Sequence, residues 1–228
     1  MTINPDKVVL FRLGPIPINE TIFFTWIAMA VIALLVLVLG RGLSVGTPVS
    51  RSQGLLEALF GFLESQIVGV TGGSARAFLP FLGSLFVFIL SANVLEIVPL
   101  YHPPTASLST TAALAACVFF AVPAFGIAHR GLSYFKDYLE PSPIMLPFTI
   151  VSELSRTLSL AMRLFGNIMS ESLIAAVLLS IVPLFVPLVF QAFGLLIGTI
   201  QAYIFFTLAT VYVSAAAVGT RPKPGKEA

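Results

Sequence analysis

Long apolar segments alternate with short polar stretches along the chain, and this pattern predicts helices that cross a membrane. Each segment is long enough to span a bilayer core about 30 Å thick as a helix. We therefore predict an all-α membrane protein with five transmembrane helices in a single integral membrane domain, residues 1–228. The predicted spans are residues 22–39, 78–100, 109–128, 144–182 and 187–218.

Residues 51–70 follow a different pattern. Arg51, Glu57 and Glu64 interrupt a series of apolar residues that recur at helical spacing. An amphipathic helix of this kind favours the membrane surface, with its apolar face in the lipid and its charges in water. We predict a surface helix here, an external N-terminus over residues 1–20 and a cytoplasmic tail over residues 219–228.

The fourth predicted span is too long to cross a bilayer upright. As one helix, residues 144–182 would extend roughly 60 Å at about 1.5 Å per residue. The helix must therefore tilt, bend or extend beyond the bilayer. Residues 187–218 follow after Pro183, so we expect the last two helices to form a long tilted hairpin.

Composition narrows the class of protein, and the distribution of basic residues predicts how the chain is oriented in the membrane. Of 228 residues, 57% are hydrophobic and 10% are charged, and the net charge of +2 gives no reason to expect nucleic-acid binding. We expect no cofactor and no metal site. Basic residues fall mostly on one side of the predicted membrane, which by the positive-inside rule places the C-terminus in the cytoplasm and the N-terminus outside.

The fourth span carries a polar stripe with an arginine in its middle. Arg163, Asn167 and Glu171 are spaced i, i+4 and i+8, so they share one face of a helix. Arginine cannot lose its charge by deprotonation, and a charge near the bilayer centre costs about 2.5 kcal/mol or more. The acids of the same helix, Glu171 and Glu153, lie roughly 12 and 15 Å away along its axis. We expect the partner of Arg163 to come from another segment or another protein.

Other polar groups in the spans allow two interpretations each. Glu153 and Arg156, at i and i+3, fit a structural salt bridge as well as a transport role. Asn93 and Glu96 fit either the polar end of a helix or a hydrated passage. Gln201 is in the middle of the last span and needs hydrogen-bond partners, which a nearby Arg163 could supply.

These residues indicate a membrane protein that handles ions. A self-contained ion channel or secondary transporter is the rival interpretation, and such a protein would conduct or exchange ions without other subunits. A structural membrane scaffold is a third interpretation, but it leaves the charges inside the spans unexplained.

Several motifs resemble one family, subunit a of rotary F-type ATP synthases. Residues 159–168, with Arg163-Leu164-Phe165-Gly166-Asn167 at their centre, are similar to its most specific motif. Gln201-Ala202-Tyr203-Ile204-Phe205 also resembles the family, as do Asn93, Glu96 and Pro99, and Pro104-Thr105 followed by Ser109-Thr110-Thr111.

The resemblance implies a non-catalytic stator subunit with two half-channels. Arg163 would face the ion-carrying carboxylates of the c-subunit ring, with Gln201 and Asn167 beside it. Asn93, Glu96 and Glu171 would line the outer half-channel. Glu153, Arg156 and Ser159 would lie toward the cytoplasmic one. The implied partners are the c-ring, subunit b of the peripheral stalk, the remaining subunits and the lipid bilayer of a bacterial inner membrane.

This chain departs from the family pattern at two positions. Many members carry an acidic residue where this chain has Ser172, and some carry a histidine where it has Gly194. Glu171, one position earlier and about 100° away around the helix, is the expected substitute for the missing acid. We expect the translocated ion to be a proton, with sodium as the alternative.

Overall fold

The computed structural model describes residues 9–13, 16–41, 51–73, 75–98, 101, 103–131, 134, 145–181 and 185–218. The predicted cytoplasmic tail at residues 219–228 and the polar stretch at residues 135–144 lie outside the described residues. The described helices are α1 (Glu20–Gly40), α2 (Arg51–Thr71), α3 (Leu79–Val94), α4 (Leu108–Arg130), α5 (Met145–Ile181) and α6 (Phe185–Val218). The predicted class, an all-α membrane protein, is confirmed.

A short hairpin precedes the helices and was not predicted. Strand β1 (Val9–Leu13) pairs antiparallel with β2 (Ile16–Asn19), which leads directly into α1. Val9 and Phe11 on one side of Gly14-Pro15, and Ile16 and Ile18 on the other, favour strands, and the Gly-Pro dipeptide favours a turn. The region we had assigned only as an external N-terminus therefore contains local structure.

Helix α6 is the centre of the bundle, since it packs against α2, α3, α4 and α5. Its buried face includes Ala202, Phe205 and Phe206. Phe206 meets Phe86 of α3 edge to face, with ring centroids 5.7 Å apart. Helix α5 packs on α4 and α6, and α1 lies at the edge, where the apolar side chains of residues 34–38 are exposed. Apolar side chains facing outward are expected where lipid is the solvent.

The second predicted span ends earlier than residue 100. Helix α3 stops at Val94 and a 3-10 turn follows over Leu95–Ile97. Val98 is extended, with ψ 120°, because the residue before a proline is disfavoured in the helical region. A second 3-10 turn, Pro104–Ala106, is buried and contacts α1, α3, α4 and α5.

Length and apolarity single out five described helical segments as able to cross a membrane: Glu20–Val38, Gln53–Thr71, Leu79–Ile97, Leu108–Arg130 and Val189–Ala217. Four of them overlap the spans predicted at residues 22–39, 78–100, 109–128 and 187–218, and the fifth is α2. The surface location of α2 and the spanning role of α5 stay predictions.

Candidate functional site

Helix α5 has a buried apolar face and an exposed face that carries its central polar residues. Leu160, Leu164 and Ile168 recur every four residues and are buried in the bundle. Arg163 and Asn167 are exposed. The periodicity of the sequence thus packs α5 on its neighbours and leaves the polar stripe accessible to another molecule.

Arg163 has no hydrogen bond or ion pair with any residue in the described ranges. Its exposed neighbours on α5 include the apolar side chains of Leu158 and Met162. The guanidinium is therefore not neutralised by a described carboxylate of its own chain. It presents a positive charge on the exposed face of α5, between apolar side chains and the amide of Asn167.

One turn along α5, a hydrogen bond joins the two hairpin helices. The Asn167 side-chain amide donates to Gln201 Oε1 at 2.7 Å. Gln201 is 3% exposed, and its Nε2 has no partner among the described residues. Our expectation that Arg163 would be the partner of Gln201 is wrong, because Asn167 holds that position.

Asn93 links three elements near the C-terminal end of α3. Its Nδ2 donates to the Gly198 carbonyl at 2.8 Å, and its Oδ1 accepts from the Thr105 hydroxyl at 3.3 Å. A Cβ at Gly198 would lie only 2.9 Å from the Asn93 Cβ, so the close approach needs glycine. With 2% exposure, Asn93 is a buried link between α3, α6 and the 3-10 turn at Pro104–Ala106.

Glu171 and Gly194 meet at a cleft between α5 and α6. The Glu171 carboxylate occupies the space that a Cβ at position 194 would take. The cleft has a volume of about 290 Å³ and opens between the hairpin helices. Its lining residues are Asn167, Ser170, Glu171, Ile174, Phe190, Phe193, Gly194 and Ile197. It contains a carboxylate, an amide and a hydroxyl, which can hold water or a hydrated cation.

The two departures from the family pattern are related in the structure. Ser172 donates its hydroxyl to the Ile168 carbonyl at 2.9 Å, within its own helix, and is not among the residues that line the cleft. The neighbouring Glu171 does line it. A side chain larger than hydrogen at position 194 would compete with that carboxylate, which gives a steric reason for the glycine.

Glu96 lies in the 3-10 turn after α3, and Gln191 of α6 holds this turn. The Gln191 Nε2 donates to the backbone carbonyls of Glu96 and Ile97, at 3.0 and 3.4 Å. In α6, Gln191 lies between Phe190 and Phe193, which line the cleft that holds Glu171. The turn that carries Glu96 is therefore held beside that cleft.

The remaining predicted residues lie farther toward the N-terminus of α5. Arg156 stacks over the ring of Tyr212 in α6, at 5.5 Å from guanidinium carbon to ring centroid, a cation–π contact. Ser159 is exposed and Glu153 is half-buried. These three residues are not part of the cleft around Glu171.

Sequence reasoning did not single out Gln191 or the hydrogen-bonding role of Thr105. Gln191 is the only side chain with an amide or a charge between residues 185 and 198, which is a signal that could have drawn attention to it. Thr105 was noticed only as part of a motif. Its fully buried hydroxyl pairs with a residue 12 positions away, which local patterns do not reveal.

The fold and the site define a polytopic α-helical membrane protein with ionisable groups inside its longest hairpin, a feature typical of ion pathways. The sequence profile described as ATP synthase A chain matches residues 22–214. The chain is 50% identical to ATP synthase subunit a of Albidiferax ferrireducens over 225 residues, 98% of this chain and 97% of that protein.

Two other relatives are similar over nearly their whole length. ATP synthase subunit a 1 of Crocosphaera subtropica is 50% identical over 215 residues, 94% of each chain. ATP synthase subunit a 1 of Chlorobaculum parvum is 50% identical over 224 residues, 98% of this chain and 99% of that protein. The chain therefore belongs to the ATP synthase subunit a family, the membrane subunit of the ion-translocating Fo sector.

Proposed function

We propose that this chain is the stator subunit through which ions cross the membrane in a rotary F-type ATP synthase, with Arg163 facing the carboxylates of a c-subunit ring. One observation carries the proposal: Arg163 is exposed and has no described partner in its own chain. A charge that cannot be removed by deprotonation needs a partner in an apolar environment. A neighbouring rotor that presents one carboxylate after another supplies that partner.

The electrostatics of such a contact produce directional ion transfer. A c-subunit carboxylate surrounded by lipid is neutral, because it holds a proton or a sodium ion. Near the guanidinium of Arg163 the ionised carboxylate is favoured, so the ion leaves into one half-channel. The site is reloaded from the other half-channel after passing Arg163. The membrane potential contributes about 2.3 kcal/mol per ion per 100 mV.

The cleft between α5 and α6 is the proposed outer half-channel. It lies in the half of the hairpin nearest the connection between Ile181 and Phe185, which the positive-inside rule assigns to the outside. Glu171, Ser170 and Asn167 would pass the ion toward Arg163, one helical turn beyond Asn167. Glu96 would stand at the outer end, and Asn93 would hold the walls together.

The proposed inner half-channel lies along the N-terminal half of α5. Arg156 is seven residues before Arg163, about 10 Å along the axis, and nearly on the same face. Glu153 and Ser159 flank it. The contact of Arg156 with Tyr212 ties this part of α5 to α6, which supports a fixed wall on the stator side.

The subunit performs no bond chemistry in this proposal. It would work within the bacterial inner membrane, with its N-terminus outside and its C-terminus in the cytoplasm. Its proposed partners are the c-ring, subunit b of the peripheral stalk and the rest of the complex. The ion binds at the c-subunit carboxylate, so that site selects between a proton and sodium. We keep the proton as the expected ion. A sodium requirement for ATP hydrolysis by the complex at neutral pH would replace it with sodium.

Replacement of Arg163 by alanine tests the proposal. In membranes that carry the assembled complex, Arg163→Ala should abolish ATP synthesis and ATP-driven ion pumping, while ATP hydrolysis by the detached headpiece survives. Leu158→Ala is the matched control, since Leu158 is exposed on the same helix but carries no charge, and it should retain synthesis. A normal rate of ATP synthesis by Arg163→Ala would refute the proposed role.

Two further measurements separate the proposal from its rivals. Arg163→Lys should also lose most of the activity, because a buried ammonium can lose its proton and has a different shape. The purified chain alone in vesicles should conduct no ions, whereas a self-contained channel or transporter would. Copurification of a ring of small proteolipids would exclude a free-standing scaffold.

A further inference from the structure

Tyr101 has a buried hydroxyl without a partner at the outer end of α3. The residue is 9% exposed, and its hydroxyl makes no hydrogen bond in the part of the chain that the structure describes. A buried hydroxyl without a partner costs free energy, so in native proteins such groups are satisfied by protein or by ordered water. The position of Tyr101 therefore points to a bound molecule.

The surroundings of Tyr101 fix its ring and bring it near a carboxylate. Its ring meets that of Phe24 in α1 edge to face, with centroids 5.0 Å apart, and its backbone N–H donates to the Val98 carbonyl at 3.1 Å. Burial, with a smaller contribution from the charge of Glu96, raises the pKa of the Tyr101 hydroxyl to about 12. The hydroxyl therefore keeps its proton at neutral pH and can donate it in a hydrogen bond.

We propose that the Tyr101 hydroxyl and the Glu96 carboxylate hold an ordered water between them, and that this water is the entry point for the ion at the outer half-channel. Glu96 lies in the 3-10 turn Leu95–Ile97, and the bond from the Tyr101 N–H to the Val98 carbonyl closes the next turn of the chain. The Tyr101 hydroxyl does not bond the carboxylate directly, and a bridging water would give the buried hydroxyl its partner. Tyr101 is thus a positioning residue that acts through the water and Glu96.

The proposed water, with the Tyr101 hydroxyl and the Glu96 carboxylate, can bind a cation that enters the membrane. Gln191 of α6 fixes the backbone of the turn that carries Glu96. Phe190 and Phe193, on either side of Gln191, line the cleft between α5 and α6, so the entry point leads to that cleft. The oxygen atoms of water, carboxylate and phenol are hard ligands, which accept either a proton relayed through water or a hydrated sodium ion.

This inference depends on the proposed function, and Tyr101→Phe tests it in the complete ATP synthase in sealed vesicles. The variant keeps the ring and its contact with Phe24 but removes the hydroxyl. The rate of ATP synthesis is measured at fixed membrane potential against the concentration of protons, and separately of sodium, on the side facing Tyr101. We expect the concentration of the translocated ion that gives the half-maximal rate to rise about threefold to tenfold, the effect of one lost hydrogen bond. The maximal rate should not change.

Tyr134→Phe is the matched control. Tyr134 is also buried, and it packs against Gly126 near the opposite end of α4. This variant should leave the half-maximal concentration unchanged. If Tyr101→Phe also leaves it unchanged, whether or not the maximal rate falls, the hydroxyl has no part in ion entry.

The two proposals fail in different ways. If Arg163→Ala loses ATP synthesis while Tyr101→Phe leaves the half-maximal ion concentration unchanged, only the proposed entry point is overturned. Normal synthesis in Arg163→Ala would overturn the proposed function itself.

Discussion

Gly194→Ala tests how the proposed outer half-channel is built. A Cβ at this position would fall where the Glu171 carboxylate now lies. Because real Cβ contacts stay at or above 3.0 Å, either the carboxylate or the helix must move. The carboxylate is the end of a flexible side chain, so it should move first. We predict that the fold survives while Glu171 leaves its place in the cleft.

The expected magnitudes separate stability from function. Alanine in place of glycine within a helix contributes about 1 kcal/mol of stability. Forcing a side chain away from its preferred rotamer costs about 0.5–1.5 kcal/mol. The two effects nearly cancel. Displacing the carboxylate by about 1 Å or more should nevertheless reduce ion flux about tenfold to a hundredfold, as misplaced functional groups do in enzymes.

The assay is passive ion flux through sealed membranes from which the catalytic headpiece has been removed, with thermal denaturation of the complex as the measure of stability. Gly61→Ala in α2 is the matched control, because a Cβ there would meet nothing within 4 Å. It should leave both flux and melting temperature close to those of the original protein.

A second substitution, at Glu171, tests the steric explanation directly. Glu171→Asp withdraws the carboxylate by about one carbon–carbon bond, ~1.5 Å, and should restore part of the flux when combined with Gly194→Ala. If Gly194→Ala conducts normally, or if aspartate fails to recover any flux, the steric account of Glu171 and Gly194 is refuted.

Two more predictions concern the links between helices. Asn93→Leu should lower the melting temperature of the complex, because it removes the hydrogen bonds to Gly198 and Thr105. Each polar group left buried without a partner costs about 1–3 kcal/mol of stability. An unchanged melting temperature would show that Asn93 does not link the helices. Tyr203→Phe and Gln66→Leu both break one hydrogen bond of 2.9 Å between α6 and α2. Their losses of unfolding free energy should be non-additive, with a coupling of about 0.5–1.5 kcal/mol, whereas strict additivity would contradict the bond.

The sequence predicts whole helices because apolar periodicity is a local property. The segments predicted at residues 144–182 and 187–218 correspond to α5 (Met145–Ile181) and α6 (Phe185–Val218). The end of α3 was placed too late, although Pro99 already restricts the residue before it. The hairpin at residues 9–19 was missed because strands of four and five residues are too short for a clear alternating pattern.

The candidate site is predictable along one helix but not across helices. Arg163, Asn167 and Glu171 share a face by spacing alone. The bond from Asn167 to Gln201 joins residues 34 positions apart, and that from Asn93 to Gly198 joins residues 105 apart. Such pairs depend on how helices are rotated and shifted against each other. Spacing could not show that Gln201 would meet an amide instead of a guanidinium.

Helix α5 shows how a helix with a central charge can pack among apolar helices. It has 37 residues and packs against α4 and α6, both long enough and apolar enough to cross the bilayer. Leu160, Leu164 and Ile168 form its buried face, whereas Arg163 and Asn167 are exposed. A helix can therefore pack among candidate membrane spans and still carry a charge at its centre, because the charge lies on the face that the rest of its own chain leaves uncovered.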